Sequence, residues 1–299
     1  MNGCELRPGE PVAMIGPDHR PRAAMPEPVA GGPSDVVFVY SGHGSRSGSA
    51  MGRRLLATEP VFADAIEDLD AIFQWEHDCS LREIFAGRRG LDDLAVGQSA
   101  LLAVQVGLTA LWRAHGVEPT AVLGQSTGEV AAAVAAGALN LTDAFRIMAR
   151  RTGPLASTGG GAVGLAELTE GELATRFAGL RPAPPRLPFY STVLADPRER
   201  PDFDPGYWAA NLRRPARLPQ AIGAALADGH TTFLEISAHP VATSAVEQTI
   251  AEITTAGCPP VRTLPSLRRD QDEQVTFRSS LAVLHALAGG GSGTEAGAA

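Results

Sequence analysis

One serine has the neighbours that nucleophilic chemistry demands. Gly124-Gln125-Ser126-Thr127-Gly128 follows the nucleophile-elbow spacing G-x-S-x-G. Such a serine must stand on a sharp turn so that its oxygen clears the sheet, and the flanking glycines let the chain pack through that turn. The residue after the serine offers its backbone N–H to an oxyanion, and the helix that follows points its positive end at the same place. Here that residue is Thr127. The five-residue pattern also occurs by chance as a plain turn, so its setting matters. An apolar strand, Ala121-Val122-Leu123, precedes it, and an alanine-rich helix beginning at Glu129 follows.

A serine at its free pKa is a poor nucleophile without a base. There is no histidine between His115 and His230. His43 stands in a small-residue turn, Ser41-Gly42-His43-Gly44-Ser45, directly after the first strand; that turn is the natural source of a second oxyanion donor, or else a simple strand-to-helix connection. His239 stands in Ser237-Ala238-His239-Pro240, after a later strand, with a structural role as the alternative. Glu129 is placed to cap or pair at the start of its helix. His77, His115 and His285 fall on helical patterns and read as surface or packing residues.

Strands and helices alternate around these residues. Strands are expected at 36–40, 121–123, 189–193 and 232–236, and helices around 50–74, 99–115, 129–138, 143–151, 216–227, 241–254 and 273–287. Alternation of this kind implies an α/β fold with a largely parallel sheet covered on both faces. The helix at 99–115 is apolar on nearly every side and reads as buried. Residues 1–34 form a Pro- and Gly-rich lead-in, 35–288 the core, and 289–299 a Gly/Ser/Ala tail expected to be disordered.

Composition excludes several function classes. Of the 299 residues 44% are hydrophobic and 19% charged, with net charge -8. An acidic chain is a poor match for nucleic acid or for an anionic membrane surface. No apolar run of membrane-spanning length is expected, and the N-terminus lacks the basic and apolar regions of a secretory leader. Cys4, Cys79 and Cys258 are scattered, with no metal or redox spacing, which suits a reduced cytoplasmic compartment and implies no metal.

Longer segments carry a family resemblance. VFVYSGHGSRSGSAMGRRLLATEPVFADAI resembles the opening of the acyltransferase domains of polyketide and fatty acid synthases, the malonyl-CoA:ACP transacylase-like family. VGQSALLAVQVGLTALWRAHGVEPTAVLGQSTGEVAAAVAAGALNLTDAFRIMARR resembles their nucleophile region, and LPFYSTV, YWAANLRRPARL and FLEISAHPV their later landmarks. The SGHG opening is closest to the iterative aromatic synthases of the methylsalicylate or orsellinate type. The resemblance covers residues 35–290.

The resemblance implies an α/β-hydrolase-like core. It implies that Ser126 takes an acyl group from coenzyme A, that the backbone N–H groups of Thr127 and His43 form the oxyanion hole, and that Arg151 pairs with the free carboxylate of a malonyl-type group, lined by Gln98. A planar guanidinium suits such a contact, although a solvated helix-end cation is the alternative for Arg151. Gln125 stands where the family has histidine; it cannot titrate but can hydrogen-bond. The family's small ferredoxin-like lobe, which carries the catalytic histidine, has no room between Arg151 and Phe189, so 152–188 reads as its remnant. The expected activity is acyl transfer through Ser126 from a CoA or carrier thioester to an acyl carrier protein in polyketide biosynthesis, weakened by the missing histidine, with His239 or His43 as substitute bases. No cofactor is implied, because the thioester is substrate. The alternatives are an editing thioester hydrolase and a non-catalytic carrier-binding scaffold.

Overall fold

Strand β1 (Val37–Tyr40) is the centre of the molecule, because the chain's most apolar strand can be buried on both faces. Its alternating side chains divide between two cores: Phe38 and Tyr40 pack on one face, Val37 and Val39 on the other. A computed structural model describes residues 35–42, 51–152, 168–253 and 260–290. The lead-in expected over 1–34, nearly all of the tail expected from 289, and His43 lie outside them.

In chain order the elements after β1 are α1 (Arg53–Thr58), α2 (Pro60–His77), α3 (Leu81–Phe85), α4 (Leu94–Ala114), β2 (Ala121–Gly124), α5 (Gly128–Ala135) and α6 (Leu141–Arg150). Then come α7 (Glu170–Arg176), β3 (Phe189–Tyr190), α8 (Pro205–Arg213), α9 (Leu218–Ala227), β4 (Thr232–Glu235), α10 (Ala242–Ile253), β5 (Arg262–Pro265) and α11 (Glu273–Gly290). The five strands are all parallel, in the order β3-β2-β1-β4-β5. All strand C-termini therefore meet at one edge, where parallel sheets bind ligands. Helices α9 and α10 cover one face through Leu218, Ile222, Ala225 and Val246. The other face is covered mainly by α4, α5 and α6.

Helix α4 is longer than expected and starts earlier, because Asp93 accepts hydrogen bonds from the Ala95 and Val96 N–H groups and caps it. By length and composition it is apolar enough to cross a membrane, which corrects the expectation that no such run exists. Of its apolar window 78% is buried inside the protein, and the reason is its place as the central helix of the larger core. Its buried Gln105 donates to the Ser41 and Ile236 carbonyls at 2.8 and 3.2 Å, and so ties together the chain just beyond β1 and β4.

The described residues between α6 and β3 contain one short helix, α7, held by a capping box between Thr169 and Glu172. Glu170 pairs with Arg214 at 2.7 Å, and Arg150 donates to the Arg176 carbonyl at 2.8 Å. This segment lies against the main body, next to α6 and α8. Helices α3 and α8 and strand β5 were not expected. β5 is only four residues long, half of them polar, and is partly exposed at the sheet edge, so it lacks the apolar signature of a strand.

Candidate active site

The elbow forms where β2 runs into α5. Ser126 has φ 54°, a left-handed conformation that costs a non-glycine residue about 1–3 kcal/mol. The surrounding backbone over-determines it. The Gln125 N–H donates to the Tyr40 carbonyl at 2.8 Å, and the Gly128 N–H to the Gln125 carbonyl at 2.9 Å. The flanking glycines are sterically required. A Cβ on Gly128 would lie 1.9 Å from the Tyr40 oxygen, and one on Gly124 would lie 2.4 Å from the Glu129 nitrogen. Helix α5 can start close against the sheet only because both side chains are missing.

The turn after β1 reaches the elbow as expected. A Cβ on Gly42 would lie 2.9 Å from the Gln125 oxygen and 3.5 Å from Ser126 Cβ. The residue expected to supply the second oxyanion donor, His43, follows at once but falls outside the described residues. Thr127 opens α5 and is buried, and its Oγ1 has no partner among the described residues. Gln125 and Ser126 are half-buried.

Arg151 comes to the serine. It follows α6 at the C-cap and is only 3% exposed, so the solvated helix-end alternative does not hold. Its Nη2 lies 3.4 Å from Ser126 Oγ, and its Nη1 donates to Asn211 Oδ1 at 2.5 Å. Its Nε is buried with no partner among the described residues. Burial pulls its pKa down to about 10, and the nearby Glu129 charge works against that fall. The guanidinium is still charged at neutral pH. Gln98, in the first turns of α4, is buried with Oε1 likewise unpartnered among the described residues.

Glu129, expected to cap or pair at the start of its helix, makes no capping hydrogen bond there. It is completely buried behind the elbow. Oε1 accepts from the Thr192 N–H at 2.6 Å and lies 2.9 Å from the Thr192 hydroxyl. Oε2 accepts from the Tyr207 hydroxyl at 2.8 Å and from Asn211 Nδ2 at 2.7 Å. Burial raises its pKa and these hydrogen bonds pull it back. Asn211 Nδ2 also lies 3.2 Å from the Ser126 carbonyl. Asn211, Tyr207 and Thr192 are not distinguished by the sequence individually, although their segments, YWAANLRR and FYSTV, are.

His239 is held differently from a base. Its Nδ1 accepts the Arg269 N–H at 3.0 Å, and no hydrogen bond joins it to Ser126 among the described residues. A neutral ring whose Nδ1 accepts must carry its proton on Nε2. Neither nitrogen then offers a lone pair to Ser126, which argues against His239 as the substitute base. Its neighbours serve the fold: Glu235 accepts from the Val241, Ala242 and Thr243 N–H groups and caps α10. Of the histidines on helical patterns, His77 hydrogen-bonds Ser99 at 2.8 Å, His115 packs against Phe277, and His285 is exposed.

A cleft of about 490 Å³ opens between the ends of α2 and α6 and the start of α4, lined by His77, Arg89, Asp93, Val96 and Ala149 among others. None of the candidate site residues lines it. No cluster of metal-ligating side chains occurs among the described residues.

Comparison with known proteins agrees with this geometry. The chain matches the acyl transferase domain family over residues 37–179 and 165–289, that is, in two overlapping pieces. It is 34% identical to the spectinabilin polyketide synthase system protein NorA of Streptomyces orinoci over 345 positions, covering 92% of this chain and 18% of that protein. It is 33% identical over 324 positions to the 5-methyl-1-naphthoate synthase of Streptomyces sahachiroi, covering 86% of this chain and 18% of that protein. The chain thus spans about a fifth of the length of these relatives. Both alignments are longer than the 299-residue chain, so the relatives carry residues with no counterpart here. In structure it is similar to the acyltransferase domain of the polyketide synthase PpsC of Mycobacterium tuberculosis, with 32% identity, a TM-score of 0.71, and coverage of 82% of this chain and 94% of that one. The elbow, the parallel sheet that carries it and these likenesses together place the chain in the acyl transferase domain family, among the acyltransferases of polyketide synthases.

Proposed function

We propose that this chain is a slow acyltransferase that carries its acyl group on Ser126. The thioester of coenzyme A or of a carrier protein is the donor, and the phosphopantetheine thiol of an acyl carrier protein is the acceptor. Ser126 Oγ attacks the thioester carbonyl. An O–C bond forms, the C–S bond breaks, and the departing thiolate takes up the proton that Oγ gave to solvent. The carrier thiol reverses these steps, and no redox change or cofactor is involved. On this reading the Thr127 N–H stabilises the tetrahedral oxyanion, and the turn that begins at Gly42, close to Ser126 and Thr127, supplies the second donor.

The single observation that supports this most is Ser126 in its strained conformation with Arg151 against its oxygen. Arg151 and Gln98 point to a dicarboxylic acyl group, because a buried cation with an unpartnered N–H calls for an anion. The reaction is slow because the family's histidine, a general base normally worth about 100- to 10,000-fold, has no counterpart between His115 and His230. The lobe that carries that histidine in the family is reduced here to the stretch around α7.

A second reading is a scaffold that binds a carrier protein without catalysis. The engagement of His239 by Arg269 favours it. Intact-mass measurement after incubation with malonyl-CoA, acetyl-CoA and longer acyl thioesters separates the two. Transfer requires an adduct on the native chain that Ser126→Ala abolishes. An adduct that survives on the alanine variant refutes Ser126 as the carrier, and a native chain that never gains mass leaves the scaffold reading standing.

A further inference from the structure

We infer that Asn211 is a positioning residue that fixes which edge of the Arg151 guanidinium meets the acyl group. The inference rests on the reading of Ser126 and Arg151 just given. Arginine has only donors, so the Asn211 atom facing it must be the oxygen. The atoms facing the Asn211 nitrogen, Glu129 Oε2 and the Ser126 carbonyl, can only accept. The amide orientation is therefore fixed by its neighbours, and Asn211 is sandwiched between a buried cation and a buried carboxylate.

Its consequence is geometric. Asn211 holds one of the two Nη1 N–H groups and so fixes the plane and direction of the Arg151 guanidinium. In that orientation Nε is buried without a partner among the described residues, and Nη2 on the same edge donates to Ser126 Oγ at 3.4 Å. Two N–H groups in parallel on that edge match the two oxygens of a carboxylate. A dicarboxylic acyl group bound side-on at this edge has its carboxylate next to the attacking oxygen. Without Asn211 the guanidinium is free to rotate toward Glu129, which pulls the edge away from the serine.

The test is a competition between malonyl-CoA and acetyl-CoA for Ser126 on the full chain, read by intact mass. Asn211→Ala is expected to lower the malonyl:acetyl ratio by roughly 10- to 100-fold, the worth of a charge-assisted hydrogen bond. Asn211→Asp gives a readout that a merely structural role does not. Its carboxylate faces Glu129, and two such acids must share one proton. With that proton bound, a donor again faces Glu129 and an acceptor again faces Arg151, although the single O–H leaves the Ser126 carbonyl without its second donor. The sharing raises the pair's pKa, so the pattern is present at low pH and lost as pH rises. The Asp variant should therefore select malonyl nearly as the native chain does at about pH 5.5 and lose selectivity by about pH 8. A ratio within about threefold of native in Asn211→Ala, or a flat pH profile in Asn211→Asp, overturns the inference. If the alanine variant does not fold, the Asp profile decides alone. A native chain that takes up neither acyl group refutes the underlying reading of Ser126, a result distinct from native labelling with unchanged selectivity, and the inference then falls with it.

Discussion

Replacing Glu129 by glutamine tests whether the buried network is specified by donor and acceptor polarity. Each carboxylate oxygen receives one N–H that cannot be reversed: the Thr192 backbone at 2.6 Å on Oε1 and Asn211 Nδ2 at 2.7 Å on Oε2. Asn211 cannot flip, because its oxygen faces Arg151. A glutamine amide must place its NH2 against one of these donors whichever way it turns. A protonated glutamate has no such conflict, since its O–H can point to the Tyr207 oxygen while a lone pair stays for Asn211. The substitution thus leaves one buried N–H without an acceptor, which costs about 1–3 kcal/mol. It also removes a carboxylate whose charge favours the buried Arg151 guanidinium from beyond Asn211, so the total is about 3 kcal/mol. For a chain of this size that lowers Tm by about 6–12 °C. Combining Glu129→Gln with Asn211→Asp restores the donor-to-acceptor match between the two side chains, at the loss of the donor to the Ser126 carbonyl, and keeps one negative charge beside Arg151. The double variant should be more stable than the sum of the singles predicts, with a coupling of about 2 kcal/mol in urea denaturation. If Glu129→Gln stays within about 0.5 kcal/mol of native, or if the two substitutions simply add, the polarity argument is wrong.

Other expectations are shorter. Gly128→Ala puts a Cβ 1.9 Å from the Tyr40 oxygen, so β1 and α5 must separate; a loss of more than about 4 kcal/mol in urea titration is expected, and a mild effect would show the elbow to be looser than described. Arg151→Ala should reduce malonyl loading of Ser126 far more than acetyl loading, measured by intact mass; equal losses would leave Arg151 a structural residue. Asp35 is partly desolvated, which alone would raise its pKa, but hydrogen bonds from His230 and Thr231 hold it below the usual 3.8. A lowered folded pKa contributes stability above 3.8 that is lost as pH falls through the folded value. Asp35→Asn should therefore flatten the acid side of the stability–pH curve, and an unchanged acid limb would refute the coupling.

Local physics made the elbow legible in the sequence. The glycines at 124 and 128, the apolar strand before them and the alanine-rich helix after them are contiguous, so spacing alone reports the turn. The missing histidine is legible in the same way, since no residue between His115 and His230 can titrate as one. Helix starts are partly readable too: Asp93, Asn140, Thr169 and Asp204 each accept from backbone N–H groups just after them. The Asp204-Pro205 start of α8 is such a signal, but it is masked because Tyr207, Trp208 and Asn211 are weak helix formers. β3 ends sooner than its β-branched sequence suggests, because Thr192 turns away to bond Glu129.

What tertiary structure alone decided is which distant groups share the site. Glu129 and Asn211 are 82 residues apart, and Arg151 and Asn211 are 60. No periodicity encodes their meeting. It follows from the strand order, which sets β1, β2 and β3 side by side and brings the chain after β3 back over the elbow. The same packing turned Glu129 from an expected capping or pairing residue into a buried acceptor and engaged the ring of His239 with Arg269. A side chain's neighbours along the chain fix its local conformation. Its donor, acceptor or charge role depends on groups that only the folded sheet brings within about 3 Å.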